Sequence, residues 1–295
     1  MGLLIRVSDE VATALAENAA VVALETTLIA HGFPVPEGVA VGVESERRVR
    51  AAGAVPATVG VLDGAIHVGL TGDDLQRFDL AARKLGPRDL AVCAVQGAVG
   101  ATTVGGTLAV ARAVGIRFMG TGGLGGVHRG YPFPPDVSAD LGELTRGQAL
   151  VVSSGVKSLL DIPATVELLE TLGIPVLGFR TDTLPLFYSA HGGPSVSARV
   201  ESADETARVA AAHWSLQRAS LLLCRPPTES IEVEPLIEEA IAAAARNGVT
   251  GQGVTPFVLS YLHEHSGGET LRVNRDLIAA NAGLAGEVAS AYSLL

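Results

Sequence analysis

ALVVSSGVKSLLDIPATVELLETLGIPVLGF, residues 149–179, holds a complete strand, loop, helix and strand. ALVVSS (149–154) is a short apolar run, which reads as a buried strand. Pro163 stands at the start of a helix of about ten residues, where its fixed φ suits the first turn. PVLGF (175–179) is a second strand. Strands alternating with helices imply a mainly parallel sheet covered on both faces. Lys157 falls just past the first strand, at the end of the sheet where open α/β folds hold their ligands.

The same alternation extends in both directions. IRFMG (116–120) is a strand that runs into the glycine-rich TGGLGGVHRG (121–130), and a helix of small residues lies near 104–114. LAVCAV (90–95) reads as a short buried strand, and Thr71 as a helix cap. ATVGVLDGAIHVGL (57–70) is two β-rich runs around Asp63-Gly64, a hairpin signal. A helix over 38–52 follows the loop HGFPVPEG, and VVALE (21–25) is a buried strand ending at Glu25. Ser8 caps a helix that runs to about Glu17. Toward the C-terminus, SLLLC (220–224) is a strand, and the tail is helical from about Glu232 with a break at GQGVTP. The expected fold is one α/β domain over residues 1–295, a three-layer α/β/α arrangement with a mixed, mainly parallel sheet. The hairpin and segment 180–205 are the expected excursions from its core.

Composition narrows the function. The net charge is −10 and no basic stretch is present, which argues against nucleic acid and anionic membrane surfaces as partners. No apolar run reaches the roughly 18 residues of a membrane span. Cys93 and Cys224 both sit in apolar runs, as buried free thiols do, so a reducing, cytoplasmic setting is expected.

Of the 21 basic residues only Lys84 and Lys157 are lysines. Arginine serves surface charge but cannot give up its proton, whereas a neutral lysine amine can attack carbon or form a Schiff base. Strand-end placement among small and apolar neighbours, which could lower its pKa, favours Lys157 as a nucleophile. Glu25 also ends an apolar strand, where a carboxyl with raised pKa could donate a proton. Lys84 reads as a second cationic group or an exposed helix end. The loop at 121–130 reads as a phosphate cradle, with His128, Arg129 and Thr121 as added donors. In DVSAD, Asp136 and Asp140 are four apart and would share one face of a short helix, as metal or hydroxyl ligands. Alternatively, Asp136 caps that helix. His31 reads as a ligand or a loop residue, while His67, His213, His263 and His265 carry no role.

At these residues the chain resembles the pseudouridine-5′-phosphate glycosidases, also called the indigoidine synthase A-like family. The matching segments include ALETTLIAHGFPVPEGV, GATTV, TGGLGGVHRG, DVSADL, GVKSLLDIPATVELLETLGIPVLGF and GVTPFVLSYL, in order along nearly the whole chain. The resemblance implies reversible cleavage of the carbon–carbon bond between ribose and uracil, through a lysine adduct at C1′. It implies Lys157 as nucleophile and Glu25 as proton donor. It implies substrate contacts at Lys84, at the Val104 backbone, at Ser138, Ala139 and Asp140, and at Asn281. It further implies a divalent ion at Asp136, one per subunit, usually Mn²⁺ with Mg²⁺ as the alternative, and a homotrimer. The chain departs from the family pattern at Thr26, at Gly86-Pro87 and at Ala280, the last of which bears on Asn281. Competing readings are another lysine-dependent sugar-phosphate lyase or aldolase, a non-catalytic accessory of pigment biosynthesis, and a nucleotide-binding module.

Overall fold

The computed structural model describes residues 4–133, 135–216 and 219–295. In chain order the strands are β1 (Ile5–Val7), β2 (Val21–Glu25), β3 (Val55–Leu62), β4 (Ala65–Val68), β5 (Arg83–Leu85), β6 (Gly100–Thr102), β7 (Phe118–Gly120), β8 (Leu150–Ser153), β9 (Val176–Phe179), β10 (Ala198–Val200) and β11 (Leu221–Cys224). They form one 11-stranded sheet with the path β1-β4-β3-β2-β7-β8-β11-β9-β10, to which β6 and then β5 attach beside β3. The pairings of β3 with β4 and β6 are antiparallel and the others parallel. The mixed, mainly parallel sheet is thus present.

Helices cover both faces. They are α1 (Asp9–Ala16), α2 (Thr27–His31), α3 (Glu37–Ala51), α4 (Gly72–Leu75), α5 (Leu90–Val95), α6 (Val104–Val114), α7 (Ala139–Leu144), α8 (Ile162–Thr171), α9 (Ala203–Leu216), α10 (Glu234–Arg246), α11 (Val254–His265) and α12 (Glu269–Tyr292). The two-residue period of the strands sorts the core. Val22, Leu24, Phe118, Leu150 and Leu223 pack with α3, α9 and α12. Val21, Ala23, Met119, Val151 and Leu222 pack with α1, α6, α7 and α8. Among the described residues no helix is long and apolar enough to cross a membrane.

One register detail prepares the site. β3 pairs with β2 from Val55 to Val59, up to the partner Glu25. At Gly60 and Val61 it pairs with β6 instead. Beyond the end of β2 the sheet therefore splits, and β5, which pairs Lys84 with Ala101 of β6, is set across the gap from Glu25. Crevices at such carboxyl ends are where open α/β sheets bind ligands.

Three sequence expectations are corrected. LAVCAV is helix α5, with Leu90, Cys93 and Ala94 buried and Val92 and Val95 exposed. That spacing is helical, and a six-residue apolar run does not separate strand from helix by itself. The chain around it supplies two unforeseen strands, β5 and β6, each of three residues. The hairpin, turning at Asp63 and Gly64 with positive φ, belongs to the main sheet and carries β1 outside it. The expected break at GQGVTP is present: α10 ends at Arg246 and α11 starts at Val254, with Pro256 in its first turn, where no helical hydrogen bond is lost.

The long helix α12 lies directly on β7: a Cβ at Gly120 would come 2.8 Å from the Ala282 Cα. Backbone stands on both sides, so neither can yield as a side chain would. Gly120→Ala is expected to destabilise the fold by about 1–3 kcal/mol, read as a lower urea midpoint with an unchanged m-value.

Candidate active site

A cavity of about 600 Å³ opens at the split in the sheet. Glu25, His31, Lys84, Thr121, His128, Asp136, Ser138, Ala139, Asp140 and Lys157 all line it, so most of the residues singled out in the sequence converge there. Val104 and Asn281 do not line it.

Glu25 is held at the end of β2 and is only 6 % exposed. Its carboxylate accepts a hydrogen bond from the Thr121 hydroxyl at the end of β7. Burial pushes the carboxyl above its ordinary range, while Lys157, the Thr121 hydroxyl and Lys84 pull it back and Asp140 adds to the rise. A carboxyl in this setting keeps its proton at a pH where an exposed one has lost it. Lys84 faces it from β5. Burial, and then the charge of Lys157, lower the Lys84 ammonium to about 8, against the opposing pull of Asp140 and Glu25. Lys84 is therefore a half-buried cation on a strand, and the exposed helix-end alternative is overturned.

Lys157 follows β8 in a loop pinned to the glycine-rich segment. Its backbone N–H donates to Leu124 O at 3.1 Å, and Leu124 and Val156 form a parallel bridge. The next turn closes through Leu160 N–H to Lys157 O at 3.0 Å, before Asp161 caps α8.

The glycine-rich loop edges the cavity with Gly122, Gly123 and Gly125. Five of the backbone N–H groups of residues 121–130 bond inside the protein: Thr121 to Val152 O, Leu124 to Gly155 O, Gly125 to Asp140 Oδ2, Val127 to Thr165 Oγ1 and His128 to Asp136 O. The glycines allow close packing, since a Cβ at Gly125 would lie 2.6 Å from Asp140 Oδ2. Arg129 reaches Ser158 O and Glu234 and does not line the cavity. The positive charges on the lining are those of Lys84, Lys157, Arg88 and Arg146.

DVSAD is also rearranged. Helix α7 begins at Ala139 with Ser138 as its cap, so Asp136 stands before the helix, neither capping it nor sharing a face with Asp140. Asp140 is buried, and its two oxygens accept from Gly105 N–H at 2.7 Å and Gly125 N–H at 3.0 Å. It clamps the start of α6 to the loop and supplies negative charge to Lys84. Asp136 is half-exposed, with Oδ2 3.9 Å from His128 Nδ1. Burial lowers the His128 pKa, against the pull of Asp136. Among the described residues no three His, Cys, Asp or Glu side chains gather to hold a metal ion. Asp136 offers a half-exposed carboxylate that suits a hard divalent ion completed by water and substrate oxygens.

Val104 is the first residue of α6 and its side chain is buried, so only its backbone, next to the lining residue Thr103, is placed for a ligand. His31 lines the cavity with Nε2 3.0 Å from Ala82 O. Asn281 lies behind the loop, where Nδ2 donates to Thr121 O at 2.8 Å and Ser154 Oγ at 3.1 Å.

Sequence reasoning missed Asn274. It is 2 % exposed, lines the cavity, and its Oδ1 is buried without a hydrogen-bond partner. An orphaned buried acceptor is costly, so a ligand donor is its natural complement. The signal was present: Asn274 precedes Asn281 by seven residues, two helical turns, on one face of α12. The apolar walls that complete the cavity include Phe33, Phe187, Leu259 and Ile278.

Comparison with known proteins gives a family match, similar chains and solved structures of the same fold. Residues 10–291 match the model of the indigoidine synthase A like protein family. A pseudouridine-5′-phosphate glycosidase of Chloroflexus aurantiacus is 46 % identical over 99 % of this chain and 100 % of its own. One from Herpetosiphon aurantiacus is 45 % identical over 96 % of each chain. Among solved structures, the prealnumycin C-glycosynthase AlnA in complex with ribulose 5-phosphate superposes with a TM-score of 0.89, at 39 % identity over 100 % of this chain and 98 % of that one. An indigoidine synthase A-like protein of Thermotoga maritima gives 0.87, at 36 % identity over 98 % and 96 %.

Proposed function

This chain belongs to the indigoidine synthase A-like family, and from that premise we propose that it cleaves pseudouridine 5′-phosphate reversibly to uracil and ribose 5-phosphate. The observation that carries the reading is the meeting of buried Glu25 with half-buried Lys84 and Lys157 in one cavity at the split in the sheet. A carbon leaving group is harder to expel than the oxygen or nitrogen of ordinary glycosides, for which two carboxylates serve. This cavity offers an amine instead.

In the proposed sequence Glu25 donates its proton to the ribose ring oxygen while the Lys157 amine bonds to C1′ and the C1′–O bond breaks. The amine loses a proton, and uracil C5 takes up a proton at the expense of its C5–C6 double bond. The amine lone pair then forms a carbon–nitrogen double bond as the C1′–C5 bond breaks, and the electron pair of that bond restores the C5–C6 double bond of the departing uracil. Water adds to the iminium carbon, and ribose 5-phosphate and the Lys157 amine are released. A carboxylate nucleophile could not form that double bond. Lys84, with its lowered pKa, is suited to carry protons between water and this site. Asn274 offers its orphaned Oδ1 to an imide N–H of the base. Asp136 would hold Mn²⁺, or Mg²⁺, whose charge supports substrate oxygens when bound. A cytoplasmic homotrimer is part of the same family-based reading.

The test is direct. Protein mixed with pseudouridine 5′-phosphate and Mn²⁺ is expected to release uracil and ribose 5-phosphate in equal amounts, and absence of uracil with and without the metal would overturn the reading. Titration of Mn²⁺ followed by its electron paramagnetic resonance is expected to show a bound ion, lost in Asp136→Ala.

A further inference from the structure

The assignment of Glu25 as proton donor leaves open what fixes the group that touches it. Thr121 is that group, the first residue of the glycine-rich loop. Two backbone interactions hold it. Its N–H donates to Val152 O at 2.9 Å, which continues the β7–β8 ladder. Its carbonyl accepts from Asn281 Nδ2 at 2.8 Å, and the same amide reaches Gly122 O at 3.4 Å. Asn281 is in turn tied to Ser154 at the end of β8, with Nδ2 3.1 Å from Ser154 Oγ and Oδ1 accepting from that hydroxyl at 3.5 Å. Asn281 is fully buried and reaches these carbonyls only because α12 lies on β7 at Gly120 with no side chain between.

We propose that Asn281 is a positioning residue for the proton donor: by fixing Thr121 and Gly122 against β8, it aims the Thr121 hydroxyl at Glu25 and so sets the protonation of that carboxyl. This rests on the reading of Glu25 as the acid, and it gives Asn281 a role without substrate contact. The amide satisfies the Thr121 carbonyl beside an open cavity and adds a second, longer donor to Gly122 O, which already accepts from Ser154 N–H at 2.8 Å. The hydroxyl it places favours the ionised form of Glu25, in the company of Lys157 from the loop after β8 and Lys84 from β5, and against Asp140 from α7.

The sign follows from which form the hydrogen bond favours. Losing the Thr121 hydroxyl removes a donor to the carboxylate, so Glu25 must hold its proton to higher pH. Losing Asn281 lets the same hydroxyl wander, so the shift must have the same direction and must not add to the first.

The experiment follows the Glu25 carboxyl by carbon-13 NMR in the ligand-free protein, with the signal assigned by its loss in Glu25→Gln. This readout does not depend on the substrate being right. Wild type is compared with Thr121→Val, Asn281→Ala, Asn281→Leu, which keeps most of the volume, and the Thr121→Val/Asn281→Leu double variant. Upward shifts in all single variants, with the double no further than Thr121→Val alone, support the proposal. With pseudouridine 5′-phosphate, kcat is expected to fall about 10–100-fold at Asn281, as for other groups that orient a catalytic side chain, with KM within about twofold of wild type. The proposal is overturned if the Glu25 titration is unchanged in the Asn281 variants while the urea midpoint falls, which marks a plain strut. It is also overturned if KM rises with kcat intact, which marks a substrate contact, or if Thr121→Val leaves Glu25 where it was.

Discussion

Lys157→Ala is expected to lower kcat by about 10⁴-fold or more, the scale seen when a covalent nucleophile is deleted. KM should change little. The comparison that gives this loss its meaning is Lys157→Arg. Arginine preserves the positive charge beside Glu25 and Lys84 but cannot attack carbon, so it should be as inactive as alanine if the amine forms a bond. If the role of Lys157 were only to attract phosphate, arginine would restore most of the rate. Borohydride added to wild type with ribose 5-phosphate should reduce the iminium and leave a sugar on Lys157, located by peptide mass. A normal rate in Lys157→Ala, or an adduct on Lys84 in wild type, would sink the assignment. A coupled effect is expected at Lys84. The charge of Lys157 helps lower the Lys84 ammonium to about 8, so Lys157→Ala should raise it and Lys157→Arg should not.

Much of this site was legible in sequence because its groups mark the ends of strands. Glu25 closes an apolar run at the end of β2, and Lys157 follows one at the end of β8. Both reach the carboxyl edge by the rule that places ligands there. What could not be read is set by register and by contacts distant in sequence. Two three-residue strands, β5 and β6, have too little pattern to announce themselves, yet their pairing brings Lys84 opposite Glu25. Asp140 read as a ligand because carboxylates often are, and only the folded chain shows that it also holds Gly105 and Gly125 while lining the cavity. The two asparagines of α12 share a face, and only their heights along the helix decide that Asn274 meets the cavity and Asn281 meets β7.

Glu25→Gln is expected to lower kcat by about 10³-fold, within the range for a general acid, with KM little changed. Glutamine keeps the shape and can still accept from Thr121, so the loss is that of a proton and not of packing. The pH dependence has a definite sign. The acid must be protonated, and burial raises its pKa, so wild-type kcat should hold to higher pH than an exposed glutamate would allow and fall as pH rises through the raised value. In Glu25→Gln that fall should vanish from what activity remains. A partial reaction separates this role from any other. Ribose 5-phosphate reaches an open aldehyde in water without help, and an amine condenses with an aldehyde without protonation of a ring oxygen. Borohydride should therefore still trap ribose 5-phosphate on Lys157 in Glu25→Gln, while turnover of the closed-ring C-nucleotide is lost. If trapping and turnover fail together, Glu25 is needed to shape the cavity or activate Lys157, and the proton it holds is not the one that opens the sugar.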